Sequence, residues 1–339
     1  MLEETLNALG LGDNRYKQLN LALQGGGAHG AYTWGVLDRL LEDDAISFDT
    51  ISGTSAGAVN AVALADGYRL DGAAGARAKL EDVWKAISKA GDFMSVPTNP
   101  ADMMKWAVNG MMMPFDHNPL DYDPLRKILI DHIDFQALRK ESDIGLYIAA
   151  TQVSNGNAKI FTTEEISVET VLASTCLPFV SKSIVIDGEP YWDGGFSANP
   201  ALRPVILNSN TDDTLLVQIS PVDYQLPSHI GGMRTHLNHL TFSQSLRREI
   251  ELIEEGRDVS KSGIAFGEKA RRLGRHRFHL IDGSPITSKM NPGSEMTPNW
   301  EMLSELFEQG RLGAETFLIT HRDEIGRQSS TDLKEHFSL

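Results

Sequence analysis

A chain of 339 residues with 41% hydrophobic and 23% charged side chains has the composition of a globular protein, long enough for one large α/β domain with an extension or for two domains. Its net charge of −15 at pH 7 argues against nucleic acid as the main partner and against broad electrostatic adhesion to anionic bilayers. The single cysteine, Cys176, excludes an intrachain disulfide framework and suits a reducing compartment. With no apolar run of bilayer length and no basic-then-apolar leader at the start, the expected location is cytoplasmic, at most peripheral at lipid surfaces.

Taken in chain order, strand and helix patterns alternate. Leu19–Leu23 is a short apolar run consistent with a buried strand, and it runs into GGGAHG, Gly25 to Gly30, with four glycines in six positions. Ala31–Leu41 has the apolar spacing of a helix, Ile46–Ser52 reads as a second strand, and alanine-rich helices are expected over Ala56–Ala65 and Ala76–Lys89. Ile144–Gln152 and Ala158–Thr162 read as strands and Ser167–Ser174 as a short helix. Ser183–Ile186 and Tyr191–Trp192 flank Asp187-Gly188-Glu189-Pro190, a hairpin connection, and Thr214–Ser220 is a strong apolar strand. Such alternation implies a mostly parallel sheet covered on both faces. Beyond Tyr224 the pattern changes to a long charged amphipathic stretch over Met233–Lys269, one strand at Arg277–Ile281 and a helix at Asn299–Thr320. The expected division is an α/β domain over residues 19–222 and a mostly helical extension over 223–339, packed on it.

Glycine in ordered structure is unfavourable by roughly 0.5–1 kcal/mol relative to alanine, so the cluster at residues 25–30 needs a reason. A tight turn close to a ligand and an anion cradle at a helix N-terminus both supply one. Gly25, Gly27 and Gly30 match the G-x-G-x-x-G dinucleotide fingerprint, which also wants an acidic residue about 20 positions on; Ala45 stands there instead. The end of the second strand carries Gly53-Thr54-Ser55-Ala56-Gly57, a G-x-S-x-G in the strand–turn–helix context of a nucleophile elbow. Alone, that motif reads as a helix-capping serine in a tight turn. Behind a glycine cradle it reads as a nucleophile, with the backbone N–H groups around Gly26, Gly27 and Ala28 as oxyanion donors. A base must come from elsewhere. Asp-Gly pairs occur at Asp66, Asp71, Asp187, Asp193 and Asp282. Asp66 and Asp71 fall in a polar connection and Asp187 in a hairpin turn. Asp193 ends a strand before Gly194-Gly195, which lets the chain turn away and leaves its carboxylate open to a cleft.

GGGAHG, GTSAG and DGG in this order resemble the patatin-like phospholipase family, as do ASTCLPFV (Ala173–Val180) and Asn199-Pro200. The resemblance covers about Leu19–Ser220. It implies an α/β fold, three layers α/β/α with a central, mostly parallel sheet, and a Ser–Asp dyad of Ser55 and Asp193 with no catalytic histidine. It implies an oxyanion hole at Gly25, Gly26, Gly27 and Ala28, elbow glycines Gly53 and Gly57, and supporting roles for His29, Gly30, Gly194 and Gly195. The substrate would be a lipid or other acyl ester, met at a membrane or lipid surface, with no cofactor, no metal and no nucleic acid. His29 departs from the pattern, standing where the family has Arg or Lys; it bears on head-group preference and on activity near neutral pH.

Other readings stand beside this one. Histidines after Asp193 (His229, His236, His239, His276, His279, His321 and His336) would preserve the order of a Ser–Asp–His triad. Phe93–Phe115 holds six of the eleven methionines, either filling a core or forming an adaptable acyl-chain surface. The basic run Lys269–Arg277 reads as a solvated helix end ahead of a patch for docking to an anionic surface. A catalytically idle lipid- or granule-associated protein and a nucleotide-binding oxidoreductase are the rival functions.

Overall fold

The computed structural model describes residues 16–94, 123–178, 181–222, 230–262, 267–291 and 293–339. The methionine-rich stretch falls outside the described residues from position 95 onward.

Strand β1 (Lys17–Leu23) lies at the centre of an eight-stranded sheet, with β2 (Ile46–Gly53) on one side and β7 (Asp213–Gln218) on the other, all parallel. β3 (Gly145–Gln152) extends the parallel array beyond β2, and β8 (Arg277–Asp282) extends it beyond β7. Antiparallel strands finish one side: β4 (Ala158–Thr162) on β3, and the hairpin of β5 (Ile184–Ile186) and β6 (Glu189–Asp193). Successive β1 side chains point to opposite faces, and the core divides accordingly. Leu19, Leu21 and Leu23 pack with α1 (Gly30–Leu41), α2 (Ala56–Met94) and α10 (Trp300–His321). Ala22 packs on the other face with Leu202, Ile206 of α6 (Arg203–Asn208) and the stripe Leu246, Ile250 and Ile253 of α7 (Ile230–Lys261). The result is the expected α/β/α arrangement with a mostly parallel sheet.

Most expected elements are present, with instructive differences. The two alanine-rich helices are one long helix, α2, broken at Asp71 and Gly72, where Gly72 has φ +55°. The hairpin turns on Asp187 and Gly188 alone, both at positive φ (+51° and +81°), as a two-residue turn matched to strand twist demands. Glu189 and Pro190, expected in that turn, belong to β6, paired with Ile186 and Val185. Ahead of β3, α3 (Pro124–His132) and α4 (Phe135–Glu141), and between β4 and the hairpin, α5 (Val168–Thr175), start on side-chain caps from Asp123, Asp134 and Ser167.

The C-terminal region is largely helical and returns one strand to the sheet. β8 follows β7 from Asp213 opposite Arg277 to Gln218 opposite Asp282. α10 lies against α1, with the rings of Trp34 and Phe307 centred 4.1 Å apart. Asp213 pins this junction: it accepts from Arg277 at 2.6 and 2.8 Å, from His279 at 3.1 Å and from the Gly326 N–H at 2.9 Å. Burial alone would raise its pKa, but the bonds from Arg277, His279 and Gly326 hold the carboxyl well below the usual range. A depressed carboxylate stabilises the fold above its unfolded pKa near 4 and loses that contribution as pH falls towards the folded value. Asp213→Asn is therefore expected to cost roughly 3–5 kcal/mol at pH 7, as breaking a buried pair does. Denaturant titrations should show the gap to the wild type closing as pH drops below about 4.

The basic run at 269–277 is largely engaged internally. Arg271 pairs with Glu268 at 3.0 Å, Arg275 with Asp212 at 2.6 Å, Arg277 with Asp213, and Arg272 bonds the Ser209 carbonyl. Among the described residues, no helix is long and apolar enough to cross a membrane.

Candidate active site

Ser55 sits between the end of β2 at Gly53 and the start of α2 at Ala56, with φ +53°, a left-handed conformation that is uncommon for a residue with a side chain. Such a backbone persists where surrounding contacts over-determine it. Here the Ser55 N–H donates to Ser174 Oγ at 2.9 Å, Thr54 Oγ1 donates to the Ala198 carbonyl at 2.8 Å, and the Thr54 N–H donates to the Leu23 carbonyl at 3.3 Å. The elbow crosses directly over the end of β1. A Cβ at Gly57 would stand 2.1 Å from the Leu23 carbonyl oxygen and one at Gly53 2.5 Å from the Gly57 carbonyl oxygen. Since both obstacles are backbone, neither can swing aside. Gly57→Ala is expected to destabilise the protein by at least the roughly 1–3 kcal/mol of an overpacked core and to lower activity in the folded fraction, as urea unfolding and ester turnover on the same preparation would show.

Sheet geometry brings Asp193 to this elbow. β4 occupies one edge of β3 from Tyr147 to Thr151, so β2 and β6 must share the other. Gly53 faces Ile148; two residues further along the same edge, where β2 has turned away, Asp193 faces Ala150. Asp193 is 1% exposed, so its carboxylate is buried rather than open to a cleft. Its Oδ1 accepts the Gly195 N–H at 2.7 Å, and its N–H donates to the Cys176 carbonyl at 2.8 Å. Oδ2 is buried with no hydrogen-bond partner. Burial pushes the pKa up to about 7, against the opposing pull of the Gly195 N–H and the nearby Ser55 hydroxyl. The hydroxyl is near enough to act on the carboxylate without closing a hydrogen bond to it. Gly194 and Gly195 serve packing, since side chains there would meet the Ala149 carbonyl oxygen at 2.2 Å and the Phe242 ring at 2.7 Å.

The glycine cluster connects β1 to α1. Its Gly25 N–H donates to Asn199 Oδ1 at 2.7 Å, so this amide, expected among the oxyanion donors, is already engaged. Gly26, Gly27 and Ala28 follow it into a short 3₁₀ turn over Gly27–His29 that opens α1. Gly27 has φ +57°, and a Cβ there would lie 2.2 Å from the Glu295 carbonyl oxygen. Gly30 packs against Ala56 and the Trp84 ring. His29 faces the C-terminal region, its Nε2 2.8 Å from Ser294 Oγ. Burial lowers its pKa despite the carboxylate of Glu295, so near neutral pH it is uncharged where an Arg or Lys would be a cation.

The other Asp-Gly residues have structural roles. Asp66 is buried between Arg69 at 2.9 Å and Lys79 at 3.0 Å, Asp71 sits at the α2 kink, Asp187 forms the hairpin turn and Asp282 accepts the Ser284 N–H at 2.8 Å. Of the histidines, His276 bonds Thr214 Oγ1, His279 bonds Asp213 and Ser330, His321 bonds Glu324 and His336 bonds Gln218. His239 Nε2 lies 3.9 Å from Glu295, and His229 falls outside the described residues. Among the described residues, neither Ser55 nor Asp193 has a histidine partner, and no cluster of potential metal ligands occurs. Ser174 and Asn199, which hold the Ser55 amide and the first amide of the glycine cluster, were visible in the sequence only as parts of the ASTC and Asn-Pro blocks.

The sequence model of the patatin-like phospholipase family matches residues 21–206, more than half of the chain, a span that includes the glycine cluster, Ser55 and Asp193. The chain belongs to the patatin-like phospholipase family. With that membership comes the enzyme class of lipid acyl hydrolases. No curated protein sequence matches this patatin-like chain. Among solved structures, VipD from Legionella pneumophila is similar at 15% identity and a TM-score of 0.37, over 90% of this chain and 67% of that one. The type III effector protein ExoU is similar at 16% identity and a TM-score of 0.35, over 91% of this chain and 54% of that one. The patatin-like chain thus spans about half the length of the latter, and family membership rests on the sequence match alone.

Proposed function

We propose that this patatin-like protein cleaves acyl esters of lipids through an acyl-enzyme on Ser55, with Asp193 as the base. The observation that carries the reading is the unpartnered Oδ2 of a fully buried Asp193 beside a serine held in a left-handed elbow. A buried acceptor without a partner costs on the order of 1–3 kcal/mol, a penalty that makes sense where it receives a proton during turnover. Asp193 takes the Ser55 proton as Oγ bonds the ester carbonyl carbon. The tetrahedral oxyanion is met by N–H groups of Gly26, Gly27 and Ala28, reinforced by the positive end of α1. Collapse breaks the bond to the alcohol, which leaves with the proton from Asp193. Water, deprotonated by Asp193 in turn, then releases the fatty acid and regenerates Ser55.

The substrate class is a phospholipid or other lipid acyl ester, reached from a lipid surface by peripheral contact. The catalytic unit is residues 19–222, with 223–339 as an extension that completes its sheet through β8 and roofs the cradle at Ser294 and Glu295. A fluorophosphonate probe tests the nucleophile: peptide mass spectrometry should find the adduct on Ser55, and an adduct on a different serine overturns the assignment. A panel of phospholipids and neutral esters read by mass spectrometry tests the substrate. Labelling without turnover of any ester would favour the idle lipid-associated reading.

A further inference from the structure

Asn199 follows shortly after Asp193 and is fully buried. Its Oδ1 accepts the Gly25 N–H at 2.7 Å, and because only the oxygen can accept, the carboxamide's orientation is settled. Its Nδ2 is buried without a partner. The preceding residue, Ala198, accepts from Thr54 Oγ1 at 2.8 Å, so the same short segment holds both the elbow and the cradle. A Cβ at Gly25 would lie 2.8 Å from the Cβ of Ser55 and 3.2 Å from Asn199 Oδ1, which places amide, carboxamide and nucleophile at one spot. Upstream, the Gln24 N–H is tied to the Val217 carbonyl at 3.2 Å. Beyond Gln24 the chain has no side chains with which to orient its own peptide planes until Ala28. The Asn199 bond sets the first of those planes, and the turn that follows is then closed by the His29 N–H donating to the Gly26 carbonyl at 3.2 Å.

We propose that Asn199 is a positioning residue for the reaction at Ser55: by holding the Gly25 amide, it aims the amides that follow at the oxyanion. The proposal rests on the dyad reading above. A carboxamide suits the task because it accepts from the amide without setting a second negative charge near Asp193.

The test compares Asn199→Ala, Asn199→Asp and Ser55→Ala on a short soluble nitrophenyl ester from pH 7 to pH 10, with circular dichroism as the folding check. The kcat is read on the alkaline plateau, where the added charge of Asn199→Asp shifts the profile but Asp193 is ionised in every variant. Asn199→Ala is expected to lower kcat by about 10²-fold, the scale of a displaced oxyanion donor, with KM changed less than about twofold. Asn199→Asp keeps an oxygen opposite the Gly25 amide and is expected to recover at least about tenfold of that loss. A kcat for Asn199→Ala within about threefold of wild type, a defect confined to KM, or Asn199→Asp no faster than Asn199→Ala each overturns the proposal. If Asn199→Ala does not fold, Asn199→Asp decides: a kcat within about tenfold of wild type supports the role, and a lower one overturns it. An active Ser55→Ala would instead bring down the dyad reading, which separates the two failures.

Discussion

Ser55→Ala is expected to lower acyl-ester hydrolysis by at least about 10⁴-fold and to abolish fluorophosphonate labelling, with the fold intact. The magnitude follows from the chemistry. Without Oγ there is no acyl-enzyme, and Asp193 and the cradle amides can only assist direct attack by water. Fold stability should change little, since alanine keeps the Cβ, the left-handed backbone and the N–H that Ser174 accepts at 2.9 Å. The measurement is single-turnover hydrolysis of a short ester alongside urea unfolding. Residual activity above about 1% of wild type would mean that another group is the nucleophile.

Asp193→Asn is expected to lower kcat by about 10²–10⁴-fold, the usual contribution of a positioned base. The wild-type kcat/KM should rise with pH and level off above about 7, because Asp193 accepts a proton only when ionised and burial has raised its pKa to about 7. Stability runs the other way. A carboxyl whose folded pKa is raised stabilises the fold fully below its unfolded pKa near 4, and that contribution is lost as pH rises towards 7. The asparagine variant carries no charge to bury, so it should be more stable than the wild type at pH 8 by a margin on the order of a few kcal/mol. The margin should narrow as pH falls from about 7 towards 4. Urea titrations at pH 5 and pH 8 read the difference directly. Near-wild-type turnover in Asp193→Asn, with a histidine variant inactive, would replace the dyad with a triad.

The elements around the site were legible because their signals are local. The apolar run at Leu19–Leu23, the helix spacing after Gly30 and the alternation of strand with helix follow from side-chain periodicity within a dozen residues. Ser55 was legible for the same reason: an elbow needs small residues two positions either side, and Gly53 and Gly57 stand there. The glycine cradle, with Gly27 at φ +57°, likewise reveals itself by the residue type it demands. The break around Asp71-Gly72 was legible as a polar connection, but the helix's continuity across it was not, since a helix can bend at one glycine and continue in a new direction.

By itself, then, the sequence determined the mostly parallel sheet, the tight turn at Ser55 and Asp193 as the favoured candidate among five Asp-Gly carboxylates. Only the tertiary structure showed where Asp193 lies: buried beside the Ser55 turn with Oδ2 unpartnered, rather than open to a cleft. What distinguishes Asp193 is that β6 takes the edge of β3 that β2 vacates after Gly53, a pairing set by strand length and register across more than a hundred residues. The engagement of Gly25 by Asn199 and the packing of Glu295 on Gly27 were decided at the same level. Local patterns report what one segment must bury or bend; which distant group completes a hydrogen bond, or is left buried without one, depends on how the segments close on each other.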